Sequence, residues 1–379
     1  MQDTNIPENK VIIIGGDHHN GLGLARIFGL NGKKVFAVVI SNKKKSWMAT
    51  SKFVEGHAVF KTEKEGFDYI LKTFSSEIQK PVLIPYSDAA ALELDLRLTQ
   101  FKEKFHVPSI NGELGKIASM MDKDAQYKWS MEHGIKMAKS FVFNVDDSLE
   151  MIVSAVGFPI ILKPIVSAKG SKFDITVCEN EAQLKASMQL LSQKGYTSIL
   201  VQKYLSKRSE MLIVGAIADE NVFSVHEVIR RWPDPGGCGS FSQAVIDEKI
   251  LEKCSRLIEK IAKYGYQGLI DIETFLVDGD IYLNEINWRN SGGCFRAIDD
   301  GFFYAYWWYK KITDKEAFPC WTPKASLSMV EYADFRHVLK KGLSPLKWMR
   351  DFGKTKNLSL LRKDDLKPFF FKILYGVTI

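Results

Sequence analysis

The chain has 379 residues, 46% hydrophobic and 26% charged, with a formal net charge of +7. That is apolar material for two or three buried cores and an ordinary charge fraction for a soluble globular protein. The excess of positive charge suits an anionic ligand; surface charge is the simpler reading. The start, MQDTNIPENKVIIIGG, lacks the charged head, long apolar stretch and cleavage site of a secretory signal, and no stretch has the ~18 apolar residues of a membrane span. Cys178, Cys238, Cys254, Cys294 and Cys320 are scattered, with no CxxC pair. A zinc site or disulfide framework is therefore not expected, and a reducing cytoplasm is.

Residues 11–115 alternate strands and helices. VIIIGG (11–16), KVFAVVI (34–40), HAVFK (57–61) and PVLIPYSD (81–88) read as strands; LGLARIFGLNGKK, GFDYILKTFSSEI (66–78) and AALELDLRLTQFKEKF read as helices. Such alternation predicts a parallel sheet of βαβ units. The turn GGDHHNGLG (15–23) does not fit GxGxxG, and no acidic residue ends the second strand to hold a ribose. It predicts a Rossmann-like scaffold whose turn is empty or faces substrate. Ser87 and Asp88 stand where a strand meets a helix, so Asp88 is either a ligand-edge residue or an N-cap.

After about residue 115 the pattern changes. A helix in KIASMMDKDAQYKWSMEHG stops at Gly134. GFPIILKP (157–164), ITVCEN, the amphipathic EAQLKASMQLLSQKG and SILVQKYL (198–205) predict a compact α+β lobe. MLIVGAIA, NVFSVHEVIRRW, GLIDIETFLV and DIYLNEINW predict antiparallel strands, with a helix over IDEKILEKCSRLIEKIAKYG.

The last hairpin carries the strongest signal. In a strand, side chains alternate faces, so Glu285, Asn287 and Arg289 of IYLNEINWRN share one face and Ile286 and Trp288 the other. A three-residue loop at Asp278–Asp280 sets Val277 opposite Ile281, Glu273 opposite Glu285 and Asp271 opposite Asn287. Carboxylates ~5 Å apart repel by about 3 kcal/mol at an effective dielectric of 20, so a cation belongs between them. Mg²⁺, which takes oxygen ligands and shares them with phosphates, fits. A two-residue turn would instead pair Glu273 with Asn284 and leave a solvated hairpin.

Lys163 ends the apolar strand IILKP, where a cation needs a counter-charge such as phosphate unless it snorkels to water. The small, basic turn VSAKGSK, with Lys169 and Lys172, is a phosphate cover or an ordinary hairpin tip. In VQKYLSKRSEM, Gln202 to Leu205 end a strand and Glu210 begins the next. A strand end can present backbone groups to a purine and the carboxylate can take ribose hydroxyls; a linker with a solvated Glu is the alternative. His226, between Val225 and Glu227, reads more simply as strand-packed than as a general base. The aromatic runs GFFYAYWWYKK (301–311) and KPFFFKILYG (367–376) read as a core-packed helix and a docking segment, with membrane-surface contact as the other reading. Lys43–Lys45 reads as a solvated loop.

In order, Lys123, Lys163, the basic small-residue turn, QKYL, Glu210 and E-x11-E-x-N-x-R resemble the ATP-grasp superfamily over roughly residues 10–310. The N-terminal layout and IRRWPDPGGCGS resemble its D-aspartate ligase branch, close to the carbamoyl-phosphate synthetase large subunit and biotin carboxylase. The resemblance implies a mixed α/β and α+β fold: a Rossmann-like N-terminal domain over 1–115, an ATP-grasp domain over 116–315 with a lid lobe at about 138–205 and an antiparallel-sheet core, and a C-terminal helical extension over 316–379. It implies that Lys123 and Lys163 hold the α- and β-phosphates, and that Ser167, Lys169 and Gly170 close over the β,γ-phosphates. Gln202, Lys203 and Leu205 would line the adenine and Glu210 the ribose. Glu273, Glu285 and Asn287 would bind Mg²⁺, or Mn²⁺ in its place. Arg289 would face the γ-phosphate, and Arg230 or Arg231 the substrate carboxylate. The turn SAKGSK has fewer glycines than many members, QKYL lacks a leading glutamate, and Trp288 replaces the usual proline. No metal ligand is lost.

The implied function is an ATP-dependent carboxylate–amine ligase, forming an amide through an acyl phosphate and releasing ADP and phosphate. Its partners would be small carboxylate and amine substrates. Two alternatives stay open: carboxylation or carbamoylation with bicarbonate, and a nucleotide-binding regulatory module without turnover. Nucleic acid is not expected, because the basic residues form no stripe interleaved with aromatics. The sequence leaves oligomeric state open, a homodimer included.

Overall fold

The computed structural model describes residues 8–163, 175–206, 208–229, 239–340 and 344–376. Strands β1 (Val11–Gly16), β2 (Val35–Ile40), β3 (Val54–Phe60) and β4 (Val82–Pro85) form a parallel sheet in the order β3-β2-β1-β4. The strands are apolar on both faces because helices cover both. Val11, Ile13, Val35 and Ala37 pack toward helix His19–Gly29 on one side; Ile12, Ile14 and Val38 pack toward helices Glu63–Phe74 and Asp88–Leu96 on the other. Helix Tyr304–Asp314 completes the first side, with Tyr304, Trp308 and Tyr309 buried. The aromatic run 301–311 is thus a core element.

Strand β5 (Ser109–Ile110) leads out of this domain and pairs with the start of a later strand, at Tyr266 and Gln267. Strands β6 (Ser140–Asn144), β7 (Ile160–Lys163), β8 (Thr176–Cys178) and β9 (Ser198–Lys203) then form a small antiparallel sheet, ordered β6-β9-β7-β8. Helices Leu149–Val156 and Glu181–Gln193 bury its own core, which includes Ile152, Leu184, Ile199 and Val201.

The large sheet contains β10 (Ser209–Ile217), β11 (Asn221–Val228), β12 (Phe241–Ala244), β13 (Tyr266–Val277), β14 (Asp280–Asn287), β15 (Leu327–Met329) and β16 (Asn357–Leu358), ordered β14-β13-β10-β11-β12-β15-β16. It is antiparallel except for the final β15–β16 pair. Helix Glu248–Lys263 lays the stripe Cys254, Leu257, Ile258 and Ile261 on one face, a spacing that puts all four on one side of a helix. On the other face, Val214, Ala216 and Leu269 join the core of the N-terminal domain, and Glu210, Leu212 and Glu273 line the site.

The C-terminal segment is not purely helical. Helices Glu331–Lys340, Pro345–Lys354 and Lys367–Gly376 form, but β15 and β16 extend the large sheet. Pieces of three and two residues are too short to show alternation in the sequence. This segment is locked to the N-terminal domain by a buried ion pair, Arg26 Nε to Asp365 Oδ2 at 3.0 Å, both side chains 1% exposed. Arg26 also donates to the carbonyls of Ser359 (3.1 Å) and Leu360 (2.8 Å), and Ser51 Oγ donates to Asp365 (2.8 Å). Truncating one partner strands the other charge in the core, which costs about 3–5 kcal/mol. Asp365→Ala should lower unfolding free energy by that amount in urea, and Arg26→Met/Asp365→Leu should recover much of it.

Candidate active site

The hairpin β13–β14 sets the site. Its turn is Asp278–Gly279, two residues with φ of 49° and 80°, and Val277 faces Asp280, not Ile281. Both positive values fit the tight primed turns, and Asp-Gly is a favoured pair there. Left alone, this turn would set Glu273 opposite Asn284. A bulge intervenes: Thr274 pairs with Leu283 and Glu273 with Glu285, leaving Asn284 as the extra residue. Beyond it, Asp271 faces Asn287. The expected pairing of acids holds, through a shorter turn and an inserted residue.

Glu273, Glu285, Asn287 and Arg289 line a cleft of about 760 Å³ between the large sheet, the small lobe and the C-terminal edge of the parallel sheet. Ile286 and Trp288 point away, into the core. Gln126 holds the strand from behind: its amide donates to the Ile286 carbonyl (2.9 Å) and accepts from the Ile286 N–H (2.8 Å). Trp288 Nε1 donates to the Met120 carbonyl (3.1 Å).

The carboxylates strain against each other. Burial, then Glu285 and then Asp271 push the Glu273 carboxyl up to about 7. Asn284 Nδ2 donates to Glu273 Oε2 at 3.1 Å, which only partly offsets this. Asp271 Oδ1 is buried and accepts no hydrogen bond among the described residues. Oxygen donors held this close suit a hard cation. Among the described residues, no three His, Cys, Asp or Glu side chains gather into a metal cage.

Lysines face this acidic wall. Lys123, first residue of helix Lys123–Glu132, places Nζ 3.9 Å from Glu285 Oε2. Lys163 ends β7 and donates to Gln202 Oε1 at 2.7 Å; Gln202 in turn donates to Ser140 Oγ at 2.7 Å. Burial, with Lys123 and Arg208 nearby, pulls the Lys163 ammonium down to about 8. Glu210 lines the cleft at the start of β10. Arg208 lies 3.9 Å from it, stacked over Tyr204 and Phe275 at 4.4 and 4.5 Å.

Arg289 bridges the domains. It donates to Asp88 Oδ1 (2.8 Å) and Asp271 Oδ2 (2.9 Å). Burial works against its charge, but Asp271 and Asp88 outweigh it and raise its pKa. Asp88 opens helix Asp88–Leu96 and is not its cap; Ser87 is, accepting from the Ala90 N–H at 3.2 Å. Next to Arg289, Asn290 and Asn20 pair their amides, and Asn20 also donates to the Tyr86 carbonyl (2.7 Å).

Other expected residues fall elsewhere. Lys203 turns its ammonium to the carbonyls of Gly157 (3.2 Å) and Phe158, and Leu205 offers its carbonyl to Arg208 (3.1 Å); neither lines the cleft. Ser167, Lys169, Gly170, Lys172, Arg230 and Arg231 lie outside the described residues. His226 is packed in β11, 3.0 Å from Ser224 Oγ, and burial pushes it down to about 3.

Sequence reasoning missed His18, Arg208 and Arg296 as cleft residues. His18 caps helix His19–Gly29, its Nδ1 accepting from the Asn20 N–H at 3.3 Å. Burial, then Lys372 and Arg289, hold it down to about 4, so it is neutral near pH 7. Arg296 donates to Ser328 Oγ (3.1 Å) and the Gly239 carbonyl (2.6 Å). These residues come from three separate elements, and no local spacing marks them.

Residues 128–294 match the ATP-grasp domain family, and this stretch contributes to a cleft between a small antiparallel lobe and a large antiparallel sheet. The chain is 26% identical over 300 residues to the arginine-specific carbamoyl phosphate synthase large chain of Geobacillus stearothermophilus, covering 75% of this chain and 27% of that one. It is 22% identical to the formate-dependent phosphoribosylglycinamide formyltransferase of Bacillus subtilis strain 168, covering 58% of this chain and 56% of that one. The chain thus spans about a quarter of the first relative and about half of the second. Among solved structures, an N5-carboxyaminoimidazole ribonucleotide synthetase bound to ADP superposes with a TM-score of 0.68 at 15% identity, over 89% of this chain and 86% of that one. An L-amino acid ligase from Bacillus licheniformis gives 0.59 at 16% identity, over 81% and 74%. These superpositions show the shared fold.

Glu273 yields a test of the acidic wall. A carboxyl raised in the folded state binds its proton more tightly there than in the unfolded chain. It therefore contributes stability below about pH 4.5 that is lost as pH rises through about 7. Thermal melts of the metal-free protein should fall over this window, and Glu273→Gln should flatten the decline.

Proposed function

We propose that the protein is an ATP-dependent carboxylate–amine ligase releasing ADP and phosphate. The observation that carries this reading is the opposition of Glu273 and Glu285 in one cleft with Lys123, Lys163 and Arg289. Isolated, such carboxylates repel; with a cation and a triphosphate between them, every charge has a partner. Glu273, Glu285 and Asn287 would hold Mg²⁺, and their crowded oxygens fit it. Bound there, the ion would neutralise charge on the transferring phosphoryl group.

The chain's own residues do the rest. Lys123 and Lys163 hold the phosphates, and Glu210 takes the ribose. The γ-phosphoryl group passes to the substrate carboxylate: the bond to the β,γ-bridging oxygen breaks, an acyl phosphate forms, and ADP is released. The amine then attacks the acyl carbon, phosphate departs with the bonding pair, and the amine loses a proton. Arg289 faces the developing charge, and Asp88 and Asp271 fix its guanidinium so that little reorganisation is needed. The small lobe excludes water that would hydrolyse the intermediate. The acid on this reading is small, such as an amino acid or a short peptide-like molecule.

A phosphate-release assay with ATP and Mg²⁺ against pooled amino acids, with mass spectrometry of products, tests this reading. Glu285→Gln and Asn287→Ala should each lower kcat by roughly 100-fold or more. Variants that turn over like the parent, or release that needs bicarbonate alone, would count against it. The Lys163 ammonium near 8 adds a second expectation. Charge on Lys163 is lost as pH rises through about 8, so ATP affinity should weaken above it. Lys163→Met should remove that dependence, as read by calorimetry.

A further inference from the structure

Positive charge is concentrated in the C-terminal stretch of the chain. Residues 331–379 hold eleven Lys and Arg against five Asp and Glu, a net +6 of the chain's +7. The same stretch holds eight of the eighteen large apolar side chains exposed among the described residues.

Two helices organise these groups. Pro345–Lys354 packs inward through Trp348, which stacks on Phe352 at 5.0 Å and sits 4.9 Å from Phe335, while Trp348 Nε1 donates to Asp334 at 3.0 Å. Its outer side carries Leu346 (78% exposed) and Met349 (63%), with Lys347, Arg350 and Lys354 exposed beside them. The helix Lys367–Gly376 packs inward through Phe371, and Lys372 sits over Trp47 and Tyr332. Leu366, Phe370, Ile373 and Leu374 form an exposed stripe at i, i+4, i+7 and i+8, with Lys363 and Lys367 exposed nearby.

We propose that this C-terminal surface docks on an anionic lipid bilayer. Apolar stripes beside lysine and arginine, on short amphipathic helices, bury shallowly among headgroups while the cations meet lipid phosphates. Charge complementarity selects the anionic surface, and the exposed Leu, Met and Phe supply apolar insertion that a purely acidic protein partner would not reward. Tyr332, under Lys372, lines the cleft, so docking sets the cleft beside the membrane.

The test is sedimentation of the full chain with vesicles of equimolar phosphatidylglycerol and phosphatidylcholine, against pure phosphatidylcholine. Binding to the anionic vesicles alone is expected, reversed by roughly 1 M salt. Leu346→Glu/Met349→Glu and Phe370→Glu/Leu374→Glu should each weaken it about tenfold or more with unchanged circular dichroism and melting. The proposal falls if the protein stays in the supernatant with anionic vesicles, or binds both kinds equally. It also falls if light scattering finds a dimer that the glutamate variants split, since this face would then pair copies of the chain.

Discussion

Two carboxylates held face to face across a hairpin are the constraint around which the site is arranged. Glu273 and Glu285 share a cross-strand position only because a two-residue turn is followed by a one-residue bulge at Asn284. Without the bulge, Glu273 would face Asn284 and the acids would separate. Such insertions re-aim side chains and tend to sit beside active sites. The strand bearing Glu285 is fixed from behind by Gln126 and Trp288, so that backbone is not free to carry Glu285 away from Glu273. Burial first, and then repulsion from Glu285, push the Glu273 carboxyl up to about 7.

Charges around this pair are ordered along the cleft. Lys123 and Lys163 come from a helix start and from the end of a small-lobe strand, so two separate elements meet the acidic wall. At the other end Arg289 is tied to Asp88 of the N-terminal domain, and the Asn20–Asn290 amide pair repeats that tie. The N-terminal domain therefore acts as a wall of the site. The C-terminal segment is bound to the same domain through Arg26 and Asp365 and adds Tyr332 to the cleft.

Much of this was legible in the sequence, for definite reasons. The parallel sheet shows as apolar runs alternating with helical spacing, and β14 shows its sidedness because Glu285, Asn287 and Arg289 interrupt an apolar strand at every second residue. The turn was misjudged, since alternation cannot reveal an inserted residue. A loop one residue too long and a missing bulge gave the same pairing. His18, Arg208 and Arg296 stayed hidden because they meet only in the folded chain, and β15 and β16 because two or three residues carry no period. Asp88 was visible as a strand-end acid, but its role depends on Arg289, 201 residues away.

The most direct test is electron paramagnetic resonance of Mn²⁺ titrated into the protein with a non-hydrolysable ATP analogue. One tight Mn²⁺ should appear when the nucleotide is present and weaken at least about tenfold in Glu273→Gln or Glu285→Gln. A Glu273→Gln/Glu285→Gln double variant that binds Mn²⁺ and nucleotide as well as the parent would contradict the account.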